Sequence, residues 1–259
     1  MSSFDRNGDL DPSRGIIVVC VGKKGSGKSV MGLLLFRAYP YDKVVIDVAQ
    51  DDGPWGPDVI DLHGTVEDLP RRWPEHLRKD DGAPMTLRYV PDPGSPTFRE
   101  DMDAVIALVM AHGKRTGHCA VLVHEMGRLA PAGQTPPHTS RMLEHNRHHH
   151  VTAILCGPRS QDIDPLILMQ ADLVYTFELQ GAADRRRIAE NIGWNPREFD
   201  AAVDDLGPHE HLRFDANEPK PDSDDADDLR LVHFPALPPD VVTATQRWAK
   251  GGQVSVSDR

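Results

Sequence analysis

Gly22-Lys23-Lys24-Gly25-Ser26-Gly27-Lys28-Ser29 decides how this chain is read. A run of β-formers, Ile16 to Val21, precedes it, and a helix-like segment, Val30 to Ala38, follows. Glycine, four residues, then Gly-Lys-Ser between a strand and a helix is the phosphate-binding loop pattern. The chemistry explains the composition. Backbone N–H groups wrap a polyphosphate, and side chains would block that approach, so glycines recur. The loop ends at a helix N-terminus, whose free N–H groups and dipole favour anions. Gly22 to Val30 are therefore the expected nucleotide contacts, with Lys28 reaching the β- and γ-phosphates and the Ser29 hydroxyl on Mg²⁺.

Composition bounds the rest. The chain has 259 residues, 27% charged and 39% apolar, with a net charge of −11. That suits one soluble α/β domain with appendages and argues against a general nucleic-acid coat. No apolar run approaches the ~20 residues that cross a bilayer, and no signal peptide opens the chain, so a cytoplasmic location is expected. Cys20, Cys119 and Cys156 fall in or beside apolar runs and read as small buried hydrophobes rather than metal ligands.

The order of segments predicts a mainly parallel sheet with helices on both faces. Residues 1–14 read as a flexible tail, 15–215 as the core, 216–228 as an acidic linker, and 229–259 as a C-terminal strand and tail. Strands are expected at 15–21, 43–48, 85–90, 119–123, 151–156 and 173–179. Residues 49–81, rich in Pro, Gly and Asp, are expected to carry little regular structure. Thr97 and Glu100 are spaced as a capping box for a helix whose stripe is Phe98, Met102, Val105, Ile106 and Val109, with Gly113 as its stop. The last twenty residues give no clear signal.

A phosphate loop needs a carboxylate at the carboxyl end of a neighbouring apolar strand, where water is activated. Val121-Leu122-Val123-His124-Glu125 provides that place, with Glu125 as the general base. His148-His149-His150 point in different directions and lack a second half-site, so they read as a solvated turn. Arg185-Arg186-Arg187 would spread over different faces of a helix and read as a solvated face rather than a DNA contact.

Taken together, these stretches resemble the FtsK–HerA superfamily of P-loop ATPases, which includes DNA translocases, phage packaging ATPases and zonular-occludens-toxin-like proteins. The resemblance runs from Ile16 to about Leu179. It rests on the phosphate loop, on the Walker B-like Val121–Glu125, on His145-Asn146-Arg147, and on Ala153 to Asp164 with its Gly157-Pro158-Arg159 and Asp162-Ile163-Asp164. It implies an ASCE-type, RecA-like core that binds ATP and Mg²⁺ and assembles as a homo-oligomeric ring, a hexamer, on DNA through an unidentified recruiting partner. By the same resemblance Glu125 is the catalytic base and Arg147 the arginine finger offered to a neighbouring subunit.

Two positions depart from the family pattern. His124 stands where an Asp normally holds magnesium through water, and a neutral imidazole is a poor ligand for that hard cation. Pro158 stands at the polar sensor position and offers no side-chain donor. The expected function is thus an ATP-driven DNA translocating or packaging motor. The alternative is a nucleotide-binding assembly subunit with slow or no turnover. A GTPase lacks its guanine-reading Asn-Lys-x-Asp stretch here, and a small-molecule kinase lacks an arginine-rich lid.

Overall fold

In the computed structural model the described residues are 10–48 (save 12), 59–64, 66, 73, 84–218 and 230–249. Strand β1 (Ile17–Val21) enters the loop, and α1 (Lys28–Ala38) leaves it. There follow β2 (Lys43–Ile46), β3 (Val59–His63), β4 (Thr86–Val90), α2 (Phe98–Thr116) and β5 (Cys119–Val123). Next come α3 (Met126–Leu129), α4 (Pro137–His149), β6 (Val151–Gly157), α5 (Pro165–Met169) and β7 (Leu173–Thr176). The chain continues through α6 (Ala182–Ile192), α7 (Pro196–Asp204), β8 (His211–Asp215), β9 (Leu231–Phe234) and α8 (Pro239–Ala249).

The strands form one sheet in the order β3-β4-β2-β5-β6-β1-β7-β8-β9. Pairing is parallel from β3 to β7, and β8 and β9 are added antiparallel. Every residue of β1, β5 and β6 is buried, as continuous apolar runs under helices on both faces require. Alternation sorts those residues between two cores. Ile17, Val19 and Val21 face the larger one with α2 and α4 to α7, while Val18 and Cys20 face α1. In α2 the expected stripe of Met102, Val105, Ile106 and Val109 is fully buried, and each such side chain contributes about 1.5–3 kcal/mol.

The expected α/β architecture is present, and several local expectations need correcting. The segment 49–81 does carry structure where it is described, since Val59–His63 adds to β4 as a parallel edge strand. Thr97 makes no side-chain cap bond to the backbone; its hydroxyl donates instead to Asp101 Oδ2 at 2.9 Å. The carboxylate one turn further on outcompetes the backbone for that hydroxyl. Helix α2 runs past Gly113 to Thr116 and stops at Gly117, whose φ is 87°. Gly113 lies inside the helix against the His149 carbonyl. The segment after β9 is helical, and α8 packs on α1. Most of 1–14 and of 216–228 lies outside the described residues, although Leu10 is buried in the core under α1.

Two buried carboxylates fix elements that local sequence signals leave undefined. Asp103 of α2 accepts from the backbone N–H groups of His138 (3.0 Å) and Thr139 (2.7 Å) and from the Thr139 hydroxyl (2.7 Å). It thus caps α4 from a neighbouring helix. Asp172, just before β7, accepts from the Ile17 N–H at 2.8 Å and so anchors the start of β1.

Candidate nucleotide-binding site

The loop sits at the carboxyl end of β1, gripped by the end of β7. Phe177 N–H donates to the Val21 carbonyl and Lys23 N–H to the Glu178 carbonyl, both at 2.9 Å, and the Lys23 ammonium pairs with the Glu178 carboxylate. At Gly22 a Cβ would lie 2.6 Å from both Phe177 Cβ and Ser26 Oγ, so only glycine fits. Gly25 and Gly27 hold φ values of 80° and 108°, the left-handed region that turns the backbone around an anion. Gly27 caps α1 without a side chain, and no acidic residue occupies the first turn. The N–H groups at the start of that helix are therefore left for a ligand. Lys28 is buried beside them. Ser26 Oγ is buried and has no hydrogen-bond partner among the described residues. An orphaned hydroxyl in a cradle of glycines is what an incoming phosphate would satisfy.

Glu125 stands at the same end of the sheet. Val21 is level with Gly157 on β6, and Leu155 is level with Val123 on β5. Two residues beyond Val123, Glu125 therefore comes level with the start of the loop, two strand spacings or about 10 Å across. It is half-buried and begins α3. His124 before it is buried. The expected pair of loop and carboxylate is thus brought to one edge of the sheet. The donor set also suits Mg²⁺: a Ser29 hydroxyl beside a phosphate cradle leaves most positions of that ion to phosphate oxygens and water. Among the described residues no cluster of three or more His, Cys, Asp or Glu could hold a metal by itself.

Arg147 is placed elsewhere. It ends α4, at the edge of the sheet where β1 begins, about 16 Å of strand from the loop. Its guanidinium bonds Asp172 Oδ1 at 2.5 Å and its side chain is 55% exposed, so it faces solvent rather than the phosphates of its own subunit. The expected solvated turn is helical over His148 and His149, the last residues of α4; His148 is exposed, His149 half-buried, and His150 alone turns the chain, at a φ of 53°. The three successive arginines of α6 are held within the chain. Arg185 bonds the Leu179 carbonyl, Asp200 and Asp204; Arg186 bonds Glu190; Arg187 bonds the Ile163 carbonyl.

Three groups near this end of the sheet escape sequence reasoning. A concavity of about 420 Å³ joins Lys23 and Lys24 to Pro158, Arg159 and Gln180, which puts a guanidinium beside the loop. Asp184 positions it: that carboxylate takes the Ser160 hydroxyl and the Gln161 N–H and lies 3.4 Å from Arg159 Nε. Arg159 stands two residues past β6, so its nearness depends on how that turn folds. On the other side of the loop a cavity of about 630 Å³ is lined by Gly25, by Gly27 to Val30, by Phe177 and His209, and by residues of 236–246. Asp47 is the third, a fully buried carboxylate. It follows β2 and takes Arg88 Nε (2.9 Å) and Nη2 (2.6 Å), beyond the β5 strand from the loop.

No family model matches the chain, and none of the curated proteins matches it. Solved structures do. The genome packaging NTPase B204 from Sulfolobus turreted icosahedral virus 2, in complex with AMP, aligns with a TM-score of 0.62 at 20% identity over 88% of this chain and 100% of that one. The same NTPase in complex with ATP-gammaS gives 0.61 at 21% identity over 80% and 94%. The cytoplasmic domain of the Thermomonospora curvata Type VII secretion ATPase EccC gives 0.52 at 15% identity, covering 99% of this chain but 31% of that one. This likeness is one of fold: the chain shares the mostly parallel α/β architecture of these NTPases. No helix among the described residues is long and apolar enough to cross a membrane.

Proposed function

We propose that this chain is an ATP-binding motor subunit that hydrolyses ATP and moves or packages DNA as a homo-oligomeric ring. The observation that carries the enzymatic part is the placement of Glu125 on the same sheet edge as the phosphate loop, with one strand between β5 and β1. The loop amides, Lys28 and the first turn of α1 would hold the triphosphate. Glu125 would then orient a water for in-line attack and accept its proton. Mg²⁺, when bound with the nucleotide through Ser29, would neutralise phosphate charge. The cytoplasm, where ATP is plentiful, suits this chemistry.

The charge that develops on the transferred phosphoryl group calls for a cation. Arg159 would supply one in cis. The exposed guanidinium of Arg147 would supply one to the site of an adjacent copy, at the expense of its bond to Asp172. DNA movement and the ring, with a hexamer as the expected size, rest on the resemblance and on the packaging NTPase that shares the fold.

A second reading is supported by His124 and Pro158. His124 is buried where a carboxylate would hold magnesium through water, and Pro158 lines the concavity beside Lys23 and Lys24 without a donor. In that reading the chain is a nucleotide-binding assembly subunit that turns over slowly or not at all. Phosphate release from ATP, measured with and without DNA, separates the two. A motor shows DNA-stimulated release that Lys28→Ala and Glu125→Gln both abolish. An assembly subunit binds ATP and releases little phosphate, and His124→Asp raises its turnover. A wild type that binds no ATP overturns both.

A further inference from the structure

The cavity beside the loop has one wall that the phosphate chemistry does not use. Gly25 and Gly27 to Val30 form one side, and the other is built from Phe177, His209 and the segment after β9: Leu237, Pro238, Val242, Thr243 and Gln246. That segment is held in place. Helix α8 packs on α1, Leu237 packs against the core beneath α1, and Ala244 and Thr245 are buried. The wall is apolar over most of its extent and carries the His209 imidazole, the Thr243 hydroxyl and the Gln246 amide, the pattern of a small-molecule pocket with a few placed polar groups. A nucleotide held by its phosphates at Lys28 and Ser29 has its sugar and base still to place, and this cavity is continuous with the loop.

We propose that the segment 236–246 is the nucleobase seat, with Leu237 and Val242 against the ring and Gln246 reading the edge of adenine. The proposal rests on the reading of Gly22 to Ser29 as a nucleotide phosphate site. It adds the specificity. A primary amide has a donor and an acceptor side by side. On its N6/N7 edge adenine presents a donor next to an acceptor, so the two match in pairs, whereas guanine presents O6 and N7 there as two acceptors. Gln246 therefore selects ATP over GTP. The Thr243 hydroxyl donates to the Pro239 carbonyl at 2.7 Å and keeps its lone pairs for a donor.

The test uses the full chain and three probes, ATP, GTP and inorganic tripolyphosphate, titrated by calorimetry in Mg²⁺. The Leu237→Ala/Val242→Ala double variant binds ATP about tenfold more weakly and tripolyphosphate as the wild type does. Gln246→Ala, a change at an exposed helix position, loses an ATP over GTP preference of about tenfold or more. The proposal is overturned if ATP affinity is unchanged in both variants, or if tripolyphosphate and ATP weaken together. A wild type that binds tripolyphosphate as tightly as ATP overturns the base seat and leaves the phosphate loop standing. A wild type that binds neither overturns both.

Discussion

Gly22→Ala tests the loop geometry most directly. The added Cβ would stand 2.6 Å from Phe177 Cβ and 2.6 Å from Ser26 Oγ. A serine hydroxyl can rotate away, but Phe177 Cβ is rooted in a backbone whose N–H is bonded to Val21, so the loop itself must move. Overpacking of this kind costs about 2 kcal/mol. With a urea m-value of about 3 kcal/mol per M, the unfolding midpoint falls by about 0.7 M. Displacing the loop also costs at least one charge-assisted amide–phosphate bond, which weakens ATP binding by tenfold or more. Gly25→Ala is the control: it has the left-handed φ of 80° but nothing within 4 Å of a Cβ. It carries only the backbone penalty of about 1 kcal/mol. Urea unfolding and ATP calorimetry on the two variants decide the matter. If Gly22→Ala unfolds within about 0.2 M of the wild type and binds ATP equally well, the steric account of this loop is wrong.

His211 gives a pH signature. It is stacked between Phe177 (5.1 Å) and Phe234 (5.5 Å), and burial, with His233 and Arg213 nearby, lowers its pKa to about 4. The unfolded chain takes up a proton below about pH 6.5 while the folded chain does not until about pH 4, so stability falls as the pH drops through that window. The loss is about 2 kcal/mol once solvent screening is allowed for, and His211→Phe flattens that part of the urea-midpoint profile. Asp103→Ala leaves the His138 and Thr139 N–H groups without their acceptor and lowers stability by about 2 kcal/mol in urea unfolding, whereas Glu100→Ala, at an exposed position, changes it by less than about 0.5 kcal/mol.

The sheet was legible because its strands are apolar on both faces. Ile17–Val21, Cys119–Val123 and Val151–Gly157 announce burial without reference to any partner. The loop was legible because Gly25, Gly27, Lys28 and Ser29 are contiguous, and Glu125 because it closes an apolar run. What stayed hidden depends on contacts remote in sequence. Arg159 becomes a loop cation only through Asp184. The cap of α4 is Asp103 on α2, which no residue next to Pro137 announces, and the spacing of Thr97 and Glu100 promised α2 a backbone cap that the Thr97 hydroxyl gives up for Asp101. Helix α8 carries Thr243 and Thr245, which lower helix propensity, and takes its place by packing on α1. The segment around Arg147 resembles a family pattern, but its position at the far end of β1 follows from where α4 meets β6 in the fold.

Folding order follows from the wall that 236–246 builds against the loop. Those residues and Gly25 to Val30 stand near opposite ends of the described chain, so their meeting is among the least local contacts in the protein. Hydrogen exchange should find α8 docking after the strands have paired. A refolding chain would therefore gain its grip on triphosphate before it learns to tell one nucleoside from another.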